Sequence, residues 1–173
     1  VEASLSEIQR DGLTPARYPS HSSYQAAVQG FLQYLYQNYS QPYNRPMMGN
    51  IIARQDTATW DSYTQYMSGA MQERWAVGWD SPDYISESKW KNDMLLAEST
   101  QARGKYIILV AQGNKTDSER QKFAFASYLL VSNGKAAFRY GDEDVYTEAW
   151  LYSTYNVDLG SPVGPRYQTG SSW

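Results

Sequence analysis

The chain has 173 residues, 18 acidic against 15 basic, giving a net charge of −3 and a pI near 5.1. That length suits one domain with a sizeable core or part of a larger domain, and that charge leaves no electrostatic footprint for DNA, RNA or an anionic membrane surface. With no cysteine and one histidine, a disulfide framework, a thiol nucleophile and a Cys-based or multi-histidine metal site are excluded.

No stretch approaches the ~20 consecutive apolar residues of a membrane span. Aromatic residues are the unusual entry in the composition: 16 Tyr, 6 Trp and 4 Phe at a mean hydropathy of −0.65. Tyr and Trp combine packing area with a polar edge, a balance found in carbohydrate-binding and in extracellular structural proteins.

Residues 1–19 have no sustained period and contain Gly12, Pro15 and Pro19, so they read as a loop with one helical turn around Leu5–Ile8. His21, between Ser20 and Ser22, reads as a helix-entry residue. Tyr24, Ala27, Val28, Phe31, Leu32, Leu35 and Tyr39 then recur at three- and four-residue spacing, which predicts an amphipathic helix capped by Ser22 with Gln25 and closed by Pro42. Arg45–Ile52 is short and apolar between turn signals, so it predicts a buried strand with Asn50 near its end. A short helix follows, with Trp60, Tyr63 and Met67 on one face.

The segment Ser68–Trp79, SGAMQERWAVGW, predicts a strand ending on Glu73 and entering a loop that carries Trp75 and Trp79. Ser81–Asp83 form a turn, and a helix runs from about Ser86 to Ala102, with Trp90, Met94 and Ala97 inward and Gly104 as its stop. Lys105–Gly113 is the clearest strand: Ile107–Ala111 are apolar without alternation, which predicts that both faces are covered. Thr116 and Glu119 suggest a capping box opening a helix through Val131, whose crowd of apolar residues predicts burial on most sides. Lys135–Asp142 is the fourth strand. Val145–Tyr152 reads as helical or irregular, and a Gly/Pro-rich tail completes the chain.

Apolar strands alternating with helices predict an α/β fold of parallel βα units, either half of a (β/α)8 barrel or an open parallel sheet. No GxGxxG or GxxxxGK[ST] occurs, so nothing points to a nucleotide cofactor. In both architectures working residues sit at the carboxyl ends of the strands. Those ends are Asn50, Glu73, Gln112 and Tyr140 with Asp142. Neutral hydrogen-bonding groups around one or two carboxylates suit polyol recognition and acid/base cleavage, and two indoles beyond Glu73 suit stacking on sugar rings. The same residues equally suit a solvated strand end beside two core tryptophans. No spacing implies a metal site.

The ordered segments MMGNII, GAMQERWAVGW, KYIILVAQG, FASYLLVSNGKAAFRYGD and YNVDLGSPVGPRY resemble the second half of the hypothetical TIM-barrel glycoside hydrolases labelled family-15-like. The most similar pieces are G-x-M-x-E-x-W at Gly69–Trp75, YLLVSNGKAAF at Tyr128–Phe138 and DLGSPVGPRY at Asp158–Tyr167, and the resemblance runs from about Tyr18 onward. It implies that residues 1–144 are a partial (β/α)8 barrel and that 145–173 close the barrel or lead to a further domain. It also implies a larger parent protein, an extracellular or cell-surface location and action on a polysaccharide or surface glycan, with the other half of the barrel or a second copy as partner.

On this resemblance Glu73 is the general acid/base and Asp142, or an aspartate upstream of Val1, the second carboxylate. Asn50, Gln112 and Tyr140 would bind sugar hydroxyls, with Trp75 and Trp79 as stacking platforms and Asp158 fixing its loop. The alternative is a non-catalytic glycan-binding or structural surface protein.

Overall fold

The computed structural model describes residues 12–51, 56–142 and 147–170. The turn expected at Leu5–Ile8 and the start of the piece expected at Val145 lie outside those residues. Four strands form one sheet: β1 (Met48–Asn50), β2 (Gly69–Glu73), β3 (Tyr106–Gln112) and β4 (Ala136–Gly141). All three pairings are parallel and the spatial order follows the chain order. The helices are α1 (His21–Leu35), α2 (Thr57–Thr64), α3 (Glu87–Ala102) and α4 (Ser118–Val131). The predicted α/β alternation is therefore observed, strand by strand.

The register assigns the faces of the sheet. Ala70 and Gln72 of β2 align with Ile107 and Leu109 of β3, which align with Ala136 and Phe138 of β4. Because side chains alternate along a strand, these residues share one face, and there Ala70, Ile107, Leu109 and Ala111 are fully buried against α3 and α4. The other face carries Met48, Met71, Ile108 and Ala137, and among the described residues no helix covers it. Met48 is 42% exposed and Tyr106 50% exposed. The sequence reading of β3 as covered on both faces is thus corrected to one covered face. An apolar run reports what a strand prefers to bury, not whether this chain supplies the cover.

Gly69 is required where β2 meets β3, because a Cβ there would overlap the Tyr106 carbonyl group. Buried polar side chains tie the helical layer together. Gln101, near the end of α3, donates to the carbonyls of Val131 (2.8 Å) and Ala97 (3.1 Å) and accepts from the amides of Asn133 (2.8 Å) and Lys135 (3.3 Å). Through that one amide, the end of α3 holds the turn that launches β4. The Trp60 indole donates to Thr100 Oγ1 at 2.8 Å, locking α2 onto α3.

Four local expectations shift. The first capping box pairs Ser20 with Ser23, two residues earlier than expected, and His21 is the first residue of α1. That helix passes into a π-helical turn, Tyr36–Ser40, rather than running regularly to Pro42. The last helix is capped by Asp117, whose carboxylate accepts from Arg120 N at 3.0 Å, while Thr116 binds Asn114 instead. Nor is α4 buried on most sides. It buries Arg120, Gln121, Ala124, Ser127 and Val131 and leaves Phe123 and Leu129 exposed, because its inner face must satisfy loop carbonyls as well as fill volume.

A buried acid makes stability depend on pH. Asp93 on α3 is nearly inaccessible, and burial pushes its pKa up despite Lys89 at 2.7 Å and the facing Gln72 amide. A folded-state pKa above the unfolded one means that the native state holds the proton more tightly, so stability from this group is full below the ordinary carboxylate range and lost as pH rises through the raised value. Asp93→Asn should therefore gain stability relative to the native protein between about pH 4 and 7. Denaturant melts of both proteins across that range check the sign, and a constant difference would refute it.

Candidate active site

Four residues project toward the carboxyl edge of the helix-free face. Register aligns Asn50 with Met71 and Glu73 with Val110, and two rows farther along β3 Gln112 aligns with Gly141. Asn50, Glu73 and Gln112 accordingly lie on the same face. Arg139 joins them, since it aligns with Val110 two strands from Glu73, and its guanidinium folds back along β4. A Cβ on Gly141 would meet Arg139 Nε at 3.2 Å and one terminal nitrogen at 3.3 Å. Arg139 was absent from the sequence-based site, although a charged residue inside the apolar alternation Ala137, Arg139, Gly141 is a readable signal.

Trp75 does not share this face. Regular alternation would place it beside Glu73, but Arg74 between them adopts φ +65° and Ala76 beyond adopts φ +63°. Left-handed backbone breaks the pleat, so Trp75 turns under the sheet, is 0% exposed, and donates its indole N–H to the Ala124 carbonyl at 3.1 Å. Its expected role as a stacking platform is corrected by that burial: its ring holds the floor beneath Glu73. Trp79 is half-buried in the loop beyond.

Arg74 is exposed, so its strain is open to a simple test. Arg74→Gly should raise stability by about 1 kcal/mol, since glycine adopts this conformation without the side-chain clash. A lowered denaturation midpoint would show that the turn is unstrained.

Tyr140 also departs from expectation. It faces the helices, is almost fully buried, and donates from its hydroxyl to the Asn114 carbonyl at 3.3 Å. Burial, first, and the charge of Asp117 push its pKa well above the usual phenol range. It is a support beneath the strand ends and not a group on Glu73's face.

Asp142 follows Gly141 and lines a cavity of about 420 Å³ at the ends of β2, β3 and β4. Glu73 is not in the wall of this cavity, while Gln112 is. Gln112 therefore joins the cavity to the Glu73 face. Arg120 forms the opposite wall. It is 3% exposed, and all five of its N–H groups are used. Nε donates to Gln112 O (2.6 Å), one terminal nitrogen to Pro82 O (2.8 Å) and Asp83 O (3.0 Å), and the other to Gly78 O (2.8 Å) and Ser81 O (2.9 Å). A planar guanidinium with a fixed fork of donors can satisfy five carbonyls at once. It thereby fixes the loop after β2 against the end of β3. Sequence reasoning did not single out Arg120, because its partners are backbone atoms distant in the chain.

Among the described residues, no three His, Asp or Glu side chains gather closely enough to hold a metal ion. No helix there is long and apolar enough to cross a membrane.

The match that decides the family spans the sheet, the site and the tail. Residues 4–173 fit the family described as hypothetical glycosyl hydrolase family 15. The chain belongs to that family. No curated protein matches it. Within this family 15 chain, the DLGSPVGPRY segment holds a bond within itself and a contact to α3. Asp158 accepts from Gly160 N at 2.8 Å, the loop-fixing bond expected of it, and Arg166 grips Glu98 of α3 with bonds of 2.6 and 3.1 Å.

Proposed function

We propose that this family 15 chain is the working part of a glycosidase that cleaves a polysaccharide or surface glycan, with Glu73 as the general acid/base. The observation that carries the reading is the position of Glu73, at the carboxyl end of β2 on the face that the described helices leave open, beside Asn50, Gln112 and Arg139. A carboxyl group among hydrogen-bonding side chains is the equipment of glycosidic proton transfer, and Asn50 and Gln112 orient hydroxyl groups around it. Asp142 is the candidate second carboxylate within the chain.

The architecture proposed is a (β/α)8 barrel of which residues up to 144 supply four strands and the helices between them. Strands whose spatial order follows their chain order, with helices on one face, match barrel winding, whereas a doubly wound sheet reverses order at a switch point. Four further strands would pair with the free edges of β1 and β4 and cover Met48, Met71 and Ile108, supplied by the rest of a longer protein or by a second copy. An extracellular or cell-surface location follows from a polymeric glycan substrate.

The deciding experiment is release of new reducing ends from a panel of polysaccharides by the protein as its own cell makes it, with the anomer of the first product followed by NMR. Release that disappears in the Glu73→Gln protein supports the assignment. Absence of release from every polysaccharide that the protein binds would replace it with a non-catalytic glycan-binding role.

A further inference from the structure

Glu73 shares its face of the sheet with one other charged strand residue. In register across β2, β3 and β4 stand Glu73, Val110 and Arg139, and the next row holds Gln112 and Gly141. The row before them, from Met71 to Ala137, is apolar. Glu73 and Arg139 are thus opposite charges two strands apart, with backbones separated by about 10 Å.

Arg120 and Arg166 show what an arginine with a structural task does in this fold. Arg120 donates to five carbonyls of a loop and a strand end, and Arg166 grips Glu98. Arg139 instead lies half-buried on the face of Glu73. Gly141 makes its seat. A Cβ there would meet Arg139 Nε at 3.2 Å, one terminal nitrogen at 3.3 Å and the central guanidinium carbon at 3.5 Å. The bare Cα of Gly141 therefore lets the guanidinium lie against the strand end, next to Gln112, the register partner of Gly141. Because the central carbon is the farthest of those three atoms, the second terminal nitrogen points away from the strand.

We infer that Arg139 is a specificity residue of this site and holds the carboxylate of a uronic acid, in the ring next to the bond that Glu73 protonates. The guanidinium is permanently charged, and its fork matches a carboxylate with two parallel N–H···O bonds. The amides of Asn50 and Gln112 suffice for neutral hydroxyls, whereas a cation held beside an apolar row gains most from an anion, since less water screens the pair there. Five donors allow this grip beside any contact that the side chain keeps within the protein. Glu73 enters its step protonated, so the acidic ring meets one cation and one neutral carboxyl group. The inference rests on the glycosidase reading above and narrows its substrate to an acidic glycan.

Binding is measured on the Glu73→Gln protein, which separates recognition from cleavage. The probes are oligomers of galacturonate, glucuronate and mannuronate, each beside its methyl ester, which keeps the ring and removes the charge. At least one uronate is expected to bind about tenfold to a hundredfold tighter than its ester. Adding Arg139→Gln should bring that ratio to about one. Arg139→Lys should keep part of it, because an ammonium retains the charge without the fork. An arginine that merely supported the fold would, when replaced, weaken acid and ester alike and leave the ratio as it was.

The inference is overturned if every uronate binds no better than its ester, or if the preference survives Arg139→Gln. Should Arg139→Gln fail to fold, Arg139→Lys decides, and an undiminished ratio there overturns the carboxylate grip. Hydrolysis by the protein with Glu73 intact is scored separately. Selective binding of a uronate without cleavage would keep the role of Arg139 and remove the glycosidase reading, and cleavage of neutral glycans without acid preference would do the reverse.

Discussion

Glu73→Gln should lower the rate of glycan hydrolysis by about 10²–10⁴-fold, the usual contribution of a positioned general acid/base, while the protein still folds and still binds the glycan. The substitution keeps the shape of the side chain and removes its ability to exchange a proton. It sits at the last residue of β2, where the backbone pairs with Val110 of β3 whatever the side chain is. The supports around it do not depend on the carboxylate either: Trp75 is held by the Ala124 carbonyl and by the continuing ladder bond from Trp75 N to Val110 O at 2.9 Å. The measurement is a comparison of kcat and KM for both proteins with thermal melts alongside. A fall in kcat at unchanged Tm is the expected result, and full retained activity would move the acid/base role to another carboxylate.

The largest effect on stability is expected from Arg120→Met. The substitution roughly preserves length and apolar volume but takes the donors from five carbonyls at once, four of them in the loop at Gly78, Ser81, Pro82 and Asp83. Orphaned buried acceptors cost about 1–3 kcal/mol each. Because water reaches part of this loop, the sum is discounted to about 3–5 kcal/mol, the range found when a buried charge network loses one partner.

Arg120→Lys should recover only part of this, since an ammonium has three donors at a point and cannot span the fork. Denaturant midpoints order the three proteins as native, Lys, Met. Amide exchange should also quicken at Gly78, whose N–H is bonded to Asp83 O at 2.9 Å across the loop. A Met protein with the native midpoint would show that the guanidinium bonds are replaceable by water.

The kinds and order of the elements were legible in the sequence because they follow from local periodicity. Strand β3 declared itself through Ile107–Ala111, α3 through Trp90, Met94 and Ala97 at helical spacing, and the stop of α3 through Gly104, which adopts positive φ. Glu73 was legible as a strand-end carboxylate for the same reason. Helix caps were misplaced by one or two residues because Ser20, Ser22 and Ser23, or Thr116 and Asp117, offer competing oxygens within one turn, and only the geometry of the helix entry selects among them.

Other features depend on contacts between residues far apart in the chain. Local pattern could not show that Trp75 leaves the face of Glu73, because the left-handed turn at Arg74 is not a conformation its residue type favours and is held by burial of the indole against α4. It could not show that Arg120 is spent on backbone carbonyls from positions 37 to 42 residues upstream, nor that Arg139 lies on the same face as Glu73, which depends on the register of three strands. By itself the sequence determined which segments are strands and helices and which carboxylate ends β2, since those depend on neighbours within a few residues. Only the tertiary structure decided which face each side chain occupies, since register and long-range hydrogen bonds set it.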